Sequence, residues 1–266
     1  MLLDFNKLGL WRWALGIICG LMTLFLLLPI LFIIALSFGS SRWLIFPPPD
    51  WTFKWYSELF ADPRWLSAAL TSAKIGVIVM VLSVILGLLA SLALVRGTFK
   101  GRAVLRAFFL TPMILPVVIV AVALYALFLR LGLNGTLVGF VIAHLVVALP
   151  FAIITISSAL ESFDTSIEQA AILCGASPWE ARFRVTLPAI QHGLFAAAIF
   201  SFLISWDEVV LAIFMASPSL QTLPVKVWTT LRQDLTPVVA AASSLLVLLT
   251  VVLMIAAALL RKGKSK

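Results

Sequence analysis

Six apolar runs of 18 residues or more, separated by short polar intervals, constrain this chain more than any other feature. They lie at about residues 13–38, 68–95, 104–129, 136–159, 191–215 and 237–260. About 20 apolar residues in a helix cross the roughly 30 Å of bilayer hydrocarbon. No water reaches that layer, so each crossing must satisfy its own backbone, and a helix does so within one segment. The pattern predicts an all-α integral membrane protein with six transmembrane helices.

Composition closes off the soluble alternative. Of 266 residues, 63% are hydrophobic and 11% charged, and the mean hydropathy is +1.16; soluble chains carry roughly 25% charged residues. No polar interval approaches the roughly 50 residues that a separate domain requires. The first run, preceded by Lys7 and Arg12, is much longer than the roughly 7–15 apolar residues of a signal peptide and reads as a retained helix. The net charge of +8 is scattered over short loops and both ends, which argues against a nucleic-acid partner.

The cations sort by side. Lys7, Arg12, Arg96, Lys100, Arg102, Arg106, Arg182, Arg184, Arg261, Lys262, Lys264 and Lys266 fall on one side, 12 of the 19 Lys and Arg residues. Arg42, Lys54, Arg64, Arg130, Lys226 and Arg232 fall on the other, and Lys74 sits just inside the second run, where it can snorkel. The positive-inside rule then places both termini in the cytoplasm, as an even number of spans requires. The expected division is an N-terminal segment with the first helix and outer loop (1–67), a membrane core (68–260) and a basic tail (261–266).

The longest outer interval, residues 39–67, holds Trp43, Trp51, Trp55, Tyr56 and Trp65 beside Pro47, Pro48 and Pro49. Such rings suit a membrane-interface belt, or a rim that docks an external partner, and a two-turn helix is expected over 53–60. Pro112 and Pro116 should bend the third span near its cytoplasmic end. Cys19 and Cys174 suggest neither a disulfide nor a metal framework, and as lone buried thiols would act as small hydrophobes. His144, alone in the fourth run, fits a hydrogen-bonded core residue.

One polar passage, IEQAAILCGASPWEARFRVTLPAI (167–190), interrupts the second half. Thr165 to Glu168 matches a capping box, Gly175 suits a left-handed helix end, and Ser177-Pro178-Trp179-Glu180 starts a second helix that Leu187-Pro188 should close. Two helices this short are marginal in water, so the hairpin must be covered by its own bundle or by another protein.

The spacing Ala170-Ala171, three residues, Gly175, nine residues, Val185, one residue, Leu187-Pro188 resembles the EAA loop of ABC-importer permeases, EAA-x3-G-x9-I-x-LP. Together with FPPPDWTFKWYSELF, SWDEVVLAIFMASPSLQTLP and the six-run layout, the chain resembles the second permease subunit of spermidine and putrescine importers. The resemblance implies the type I importer transmembrane fold with a cytoplasmic EAA coupling hairpin, in a bacterial inner membrane. Glu168, Gln169, Ala170, Ala171, Gly175, Pro178, Leu187 and Pro188 would then meet the ATPase, although Gln169 stands where the motif has glutamate. It also implies a second permease, two ATP-binding subunits that hold ATP and Mg, and a periplasmic substrate-binding protein. The chain itself has no G-x-x-x-x-G-K-[ST] phosphate loop, so it is expected to be a non-catalytic subunit, embedded in lipid, with no cofactor or metal of its own.

Asp207 and Glu208 stand in the fifth run, and a rise of roughly 1.5 Å per residue puts them about 6–8 Å outward of the midplane. Carboxylates at that depth cost roughly 2.5–3.5 kcal/mol each on insertion scales. With Ser205 and Trp206 they mark a pathway for a small cationic solute such as a polyamine, or a contact internal to the bundle. Ser201, Ser205 and Glu208 would form one polar stripe. The competing reading is an ion-coupled secondary transporter using Asp207 or Glu208; it lacks the matching interrupted spans of an internal repeat.

Overall fold

The computed structural model describes residues 11–233 and 236–263, without the side chains of Arg12 and residues 252–263. Lys7, Lys264 and Lys266 of the charge asymmetry lie outside the described residues. In chain order the helices are α1 (Trp11–Ser37), α2 (Lys54–Ala61), α3 (Pro63–Arg96), α4 (Arg102–Ile114), α5 (Val117–Leu131), α6 (Leu137–Glu161), α7 (Thr165–Leu173) and α8 (Pro178–Ala181). A π-helical segment (Arg182–Thr186) leads to α9 (Leu187–Ala189), α10 (Gln191–Asp207), α11 (Val210–Met215), α12 (Leu223–Gln233) and α13 (Pro237–Gly263). Among the described residues there is no strand, only isolated bridges between Gly39 and Trp51 and between Ser217 and Leu220.

Three helices are long and apolar enough to cross a bilayer alone: Trp13–Ser37, Pro63–Arg96 and Leu137–Glu161. Two further crossings arise only if each of two bent pairs is one span. Arg102–Ile114 and Val117–Leu131 meet at 102°, and Pro178–Ala189 and Gln191–Asp207 at 68°. The third run is therefore broken near its middle, at Leu115-Pro116, rather than bent near one end. Pro112 stays inside α4, whereas Leu115 takes the extended backbone that a following proline favours. The sixth run lies within α13, whose side chains are described only as far as Val251.

The chain forms two compact units, Met1–Pro63 with Thr229–Lys266, and Arg64–Trp228. In the first, α1 and α2 pack on α13. The aromatic loop divides here: Trp43 and Trp51 are exposed, but Trp55 is buried, its indole N–H donating to the Gly39 carbonyl at 2.6 Å. Tyr56 bonds Ser37 through their hydroxyls at 2.7 Å. A buried indole with its one donor satisfied is a loop anchor, not a belt residue.

In the second unit the packing of α6 against α10 is the most extensive. Small residues let these backbones approach, as membrane bundles require when burial from water gives no drive. At Gly193 an added Cβ would collide with the methyl of Ala159, and at Gly76 one would press on the Phe202 ring. Around them lie Ala148, Ala152, Ile156 and Ala197, all buried. Ser157 donates to Ser91, which donates to the Ile153 carbonyl, both at 3.1 Å. Trp65 is also buried, with the Lys226 ammonium 5.4 Å from its ring centre.

Two of the cations assigned to one side meet the C-terminal end of α6, and a third closes the turn after α3. Arg96 donates to the Leu160 carbonyl at 3.4 Å, Arg106 pairs with Glu161 at 3.1 Å, and Arg102 donates to the Gly97 carbonyl at 3.1 Å. Lys74 is exposed on α3. Both cysteines are free and exposed, so neither is the buried small hydrophobe that a lone thiol usually is.

Candidate functional site

The hairpin from α7 to α9 follows from its caps, with one correction. Asp164, not Thr165, is the N-cap of α7, and its carboxylate accepts from the Ser166 N–H at 2.9 Å. That N–H, then the Ser166 hydroxyl, holds the Asp164 carboxyl below its ordinary range. A charged acceptor one residue upstream displaces the weaker hydroxyl of Thr165. Glu168 is thereby released from the expected capping box.

At the other end of α7, Gly175 has φ of +98°. Its N–H donates to Ile172 at 2.9 Å and the Ala176 N–H to Ala171 at 3.1 Å. This is the full Schellman pair, which satisfies carbonyls the helix end would otherwise leave open. The second capping box forms as the sequence predicts: Ser177 accepts from the Glu180 N–H at 3.3 Å, and Glu180 accepts from the Ser177 N–H at 3.1 Å. That backbone N–H, the Ser177 hydroxyl and Arg184 hold the Glu180 carboxyl below its ordinary range.

Leu187-Pro188 does not end the second helix, which runs to Ala189 and turns at Ile190 into α10. The π-helical turn explains how Pro188 is tolerated. Leu187 N–H reaches Arg182 O, five residues back, so the ladder is already widened where a proline ring would meet the carbonyl of the preceding turn.

The eight hairpin residues singled out in the sequence do not share one surface. Gln169, Ala170, Gly175, Pro178 and Pro188 are exposed and Ala171 is half-buried. Leu187 packs with Ile156, Leu160 and Ile190 at the foot of α6 and α10, anchoring the hairpin. Glu168 turns inward: its carboxylate accepts from the buried Thr186 hydroxyl at 2.9 Å and lies 3.8 Å from Arg182. The most exposed apolar side chains are Leu173 (88%), Trp179 (65%) and Phe183 (62%). Trp179 and Phe183 stack at 6.3 Å, with the Arg182 guanidinium 5.2 Å from the Trp179 ring. Thr186 gave no sequence signal, since it is a threonine whose partner is 18 residues away.

The carboxylates of the fifth run sit at a break, not within a continuous helix. Asp207 is the last residue of α10, and Glu208 is extended, with φ of −72° and ψ of 113°. Glu208 accepts from the Leu211 N–H at 2.9 Å, capping α11. Asp207 is exposed, and Trp206 stacks on Phe202 at 5.7 Å. Ser205 faces the opposite way, bonding the buried His144 Nδ1 at 2.9 Å. The expected polar stripe therefore splits: Ser201 and Ser205 are buried, whereas Glu208 turns to the next helix. Depth reckoned along a straight 25-residue helix does not apply, because α10 has 17 residues and ends at Asp207. Among the described residues no three His, Cys, Asp or Glu side chains gather as a metal site would need.

Residues 83–266 match the family described as binding-protein-dependent transport system inner membrane component. The spermidine/putrescine transport system permease protein PotC of Escherichia coli is 32% identical over 218 residues, 81% of each chain. The putrescine transport system permease protein PotI of the same organism is 32% identical over 222 residues, 81% of this chain and 79% of that one. The fold is similar to a chain in the crystal structure of a bacterial ABC transporter involved in the import of the acidic polysaccharide alginate. There the TM-score is 0.71 at 16% identity, over 97% of this chain and 98% of that one.

Proposed function

The chain belongs to the family of binding-protein-dependent transport system inner membrane components, and from that premise we propose that it pairs with a second permease to form the pathway for a small cationic organic solute. It is a multi-pass permease of an ABC importer, and its fold is that of ABC-importer permeases. In the proposed assembly six helices cross the membrane, residues 68–260 form the core, and both termini lie in the cytoplasm. Two partner subunits bind ATP and Mg and hydrolyse the nucleotide. A periplasmic binding protein delivers the solute, and this chain transmits movement without catalysing a reaction.

One observation carries this reading. A hairpin capped at three of its helix ends presents Leu173, Trp179 and Phe183 to solvent and is rooted through Leu187 and Ile190 in α6 and α10. Apolar rings on an extramembrane turn favour a protein partner, and the resemblance to the EAA spacing supports the ATPase as that partner. A push on the hairpin then reaches α10 through the 68° turn at Ile190, and α10 ends at Asp207. An exposed carboxylate at a helix C-terminus, where the backbone dipole is also negative, attracts an ammonium.

Relatives named for spermidine and putrescine transport make polyamines the first candidates. The alginate importer shares the fold, so fold alone does not choose the cargo. Family membership weighs against the ion-coupled alternative. The deciding experiment is uptake of labelled putrescine by vesicles holding the whole complex, with and without ATP inside. ATP-dependent uptake that needs the binding protein is expected; uptake by this chain alone, without ATP, would overturn the proposal.

A further inference from the structure

Four threonines within helices hold their hydroxyls in one way, and Thr186 holds its own in another. Thr23, Thr111, Thr155 and Thr250 each donate to the carbonyl four residues back, at 2.8–2.9 Å. This local bond is the ordinary resting place of a threonine hydroxyl in a helix. Thr186 instead donates across the hairpin to Glu168, at 2.9 Å.

Two features make the departure possible. The π-helical turn moves the local ladder to a five-residue reach, with the Leu187 N–H on Arg182 O. Asp164 takes over the cap of α7, which leaves the Glu168 carboxylate free to cross. Thr186 is 1% exposed, so its hydroxyl has no water to fall back on. Arg182, four residues earlier, adds its guanidinium to the other carboxylate oxygen at 3.8 Å while covering Trp179. Both ends of the second helix's π segment thus converge on one acid of the first helix.

We propose that Glu168 is a positioning residue: with Thr186 it clasps α7 to the π-helical segment and fixes the angle between the two hairpin helices. The inference rests on the hairpin's being the coupling element. Movement of the partner ATPase then reaches α10 as rotation of one rigid piece, instead of being absorbed by hinging at Gly175. The acid is spent inside the hairpin. The outer surface keeps the exposed Gln169, uncharged but able to hydrogen-bond, at the position where a glutamate is usual.

The test uses the complete complex, with Thr186→Val, Thr186→Ser, Glu168→Ala and the Thr186→Val/Glu168→Ala double variant. Hydrogen exchange of α7 amides, read by mass spectrometry, should rise about tenfold in Thr186→Val and in Glu168→Ala, as expected for loss of a charge-assisted hydrogen bond. The double variant should be no worse than either single, and Thr186→Ser should behave as the parent. ATP hydrolysed per putrescine imported should rise in the same variants. Unchanged exchange, additive singles, or raised exchange with an unchanged ATP ratio would each overturn the clasp. Leu173→Asp separates the two levels: it alters only the exposed face, so full retention of the ATPase in that variant would overturn the coupling reading itself. If the parent complex imports no putrescine, the cargo assignment fails and the exchange comparison alone decides the clasp.

Discussion

Replacing Gly175 probes the hairpin most directly, because its cost can be separated into conformation and contact. Its φ of +98° lies where an L side chain is strained, yet a Cβ built there meets nothing within 4 Å. The penalty is therefore conformational alone, about 1–2 kcal/mol for a residue with a Cβ, and does not grow with side-chain size. One or two kcal/mol changes a local equilibrium by a factor of roughly 5–30. Gly175→Ala and Gly175→Leu should raise exchange of the Gly175-position and Ala176 amides, the two Schellman donors, by the same factor in that range. Gly175→Asn should cost less, since asparagine visits this region more readily. Measured in the reconstituted complex, ATPase stimulation by loaded binding protein should fall in the same order. A Leu variant far worse than Ala would refute the open surroundings. Unchanged exchange, stimulation and uptake in all three would refute the coupling role.

Other outcomes follow from the same geometry. Asp207→Asn should lower uptake with assembly intact, whereas Glu208→Ala should also loosen α11 by about 1 kcal/mol through loss of its cap; equal thermal stability of the two complexes would refute that division. Ser205→Ala leaves the buried His144 without its partner and should destabilise the complex by about 1–3 kcal/mol, read as a lowered midpoint in detergent unfolding. Gly193→Leu should prevent close packing of α10 on α6 and abolish recovery of folded protein, while Gly101→Leu, at an exposed turn with φ of +90° and nothing within 4 Å of the added Cβ, should cost only the conformational penalty of about 1–2 kcal/mol. The Asp164 and Glu180 carboxyls have folded pKa values below their unfolded ones. Their capping is complete above the unfolded values and is lost as pH falls through the folded ones. Protection of the hairpin amides, corrected for intrinsic exchange, should hold from neutral pH to about 5 and decline below about 4; a Glu180→Gln variant should decline less.

What was legible in the sequence is what short-range physics decides. The length of an apolar run determines whether it can cross hydrocarbon, and Ser177-Pro178-Trp179-Glu180 and Gly175 specify a cap and a turn from atoms a few residues apart. Those features, with the EAA spacing, were enough to reach the family. The bond from Thr186 to Glu168, the inward turn of Trp55 and the pairing of His144 with Ser205 were not legible. Each joins residues from 16 to 61 positions apart, and only the packed chain decides which partner a polar group finds. The break at Glu208 belongs to the same class; at Pro116 a bend was legible, but not its place near the middle of the run or its 102° angle. A run of apolar residues gives the amount of helix a bilayer can hold, but not where neighbouring helices will satisfy the freed backbone groups and let it bend. Sequence therefore determined that Asp207 and Glu208 stand as adjacent carboxylates in an apolar run; tertiary structure decided that one is exposed at a helix end while the other caps the next helix.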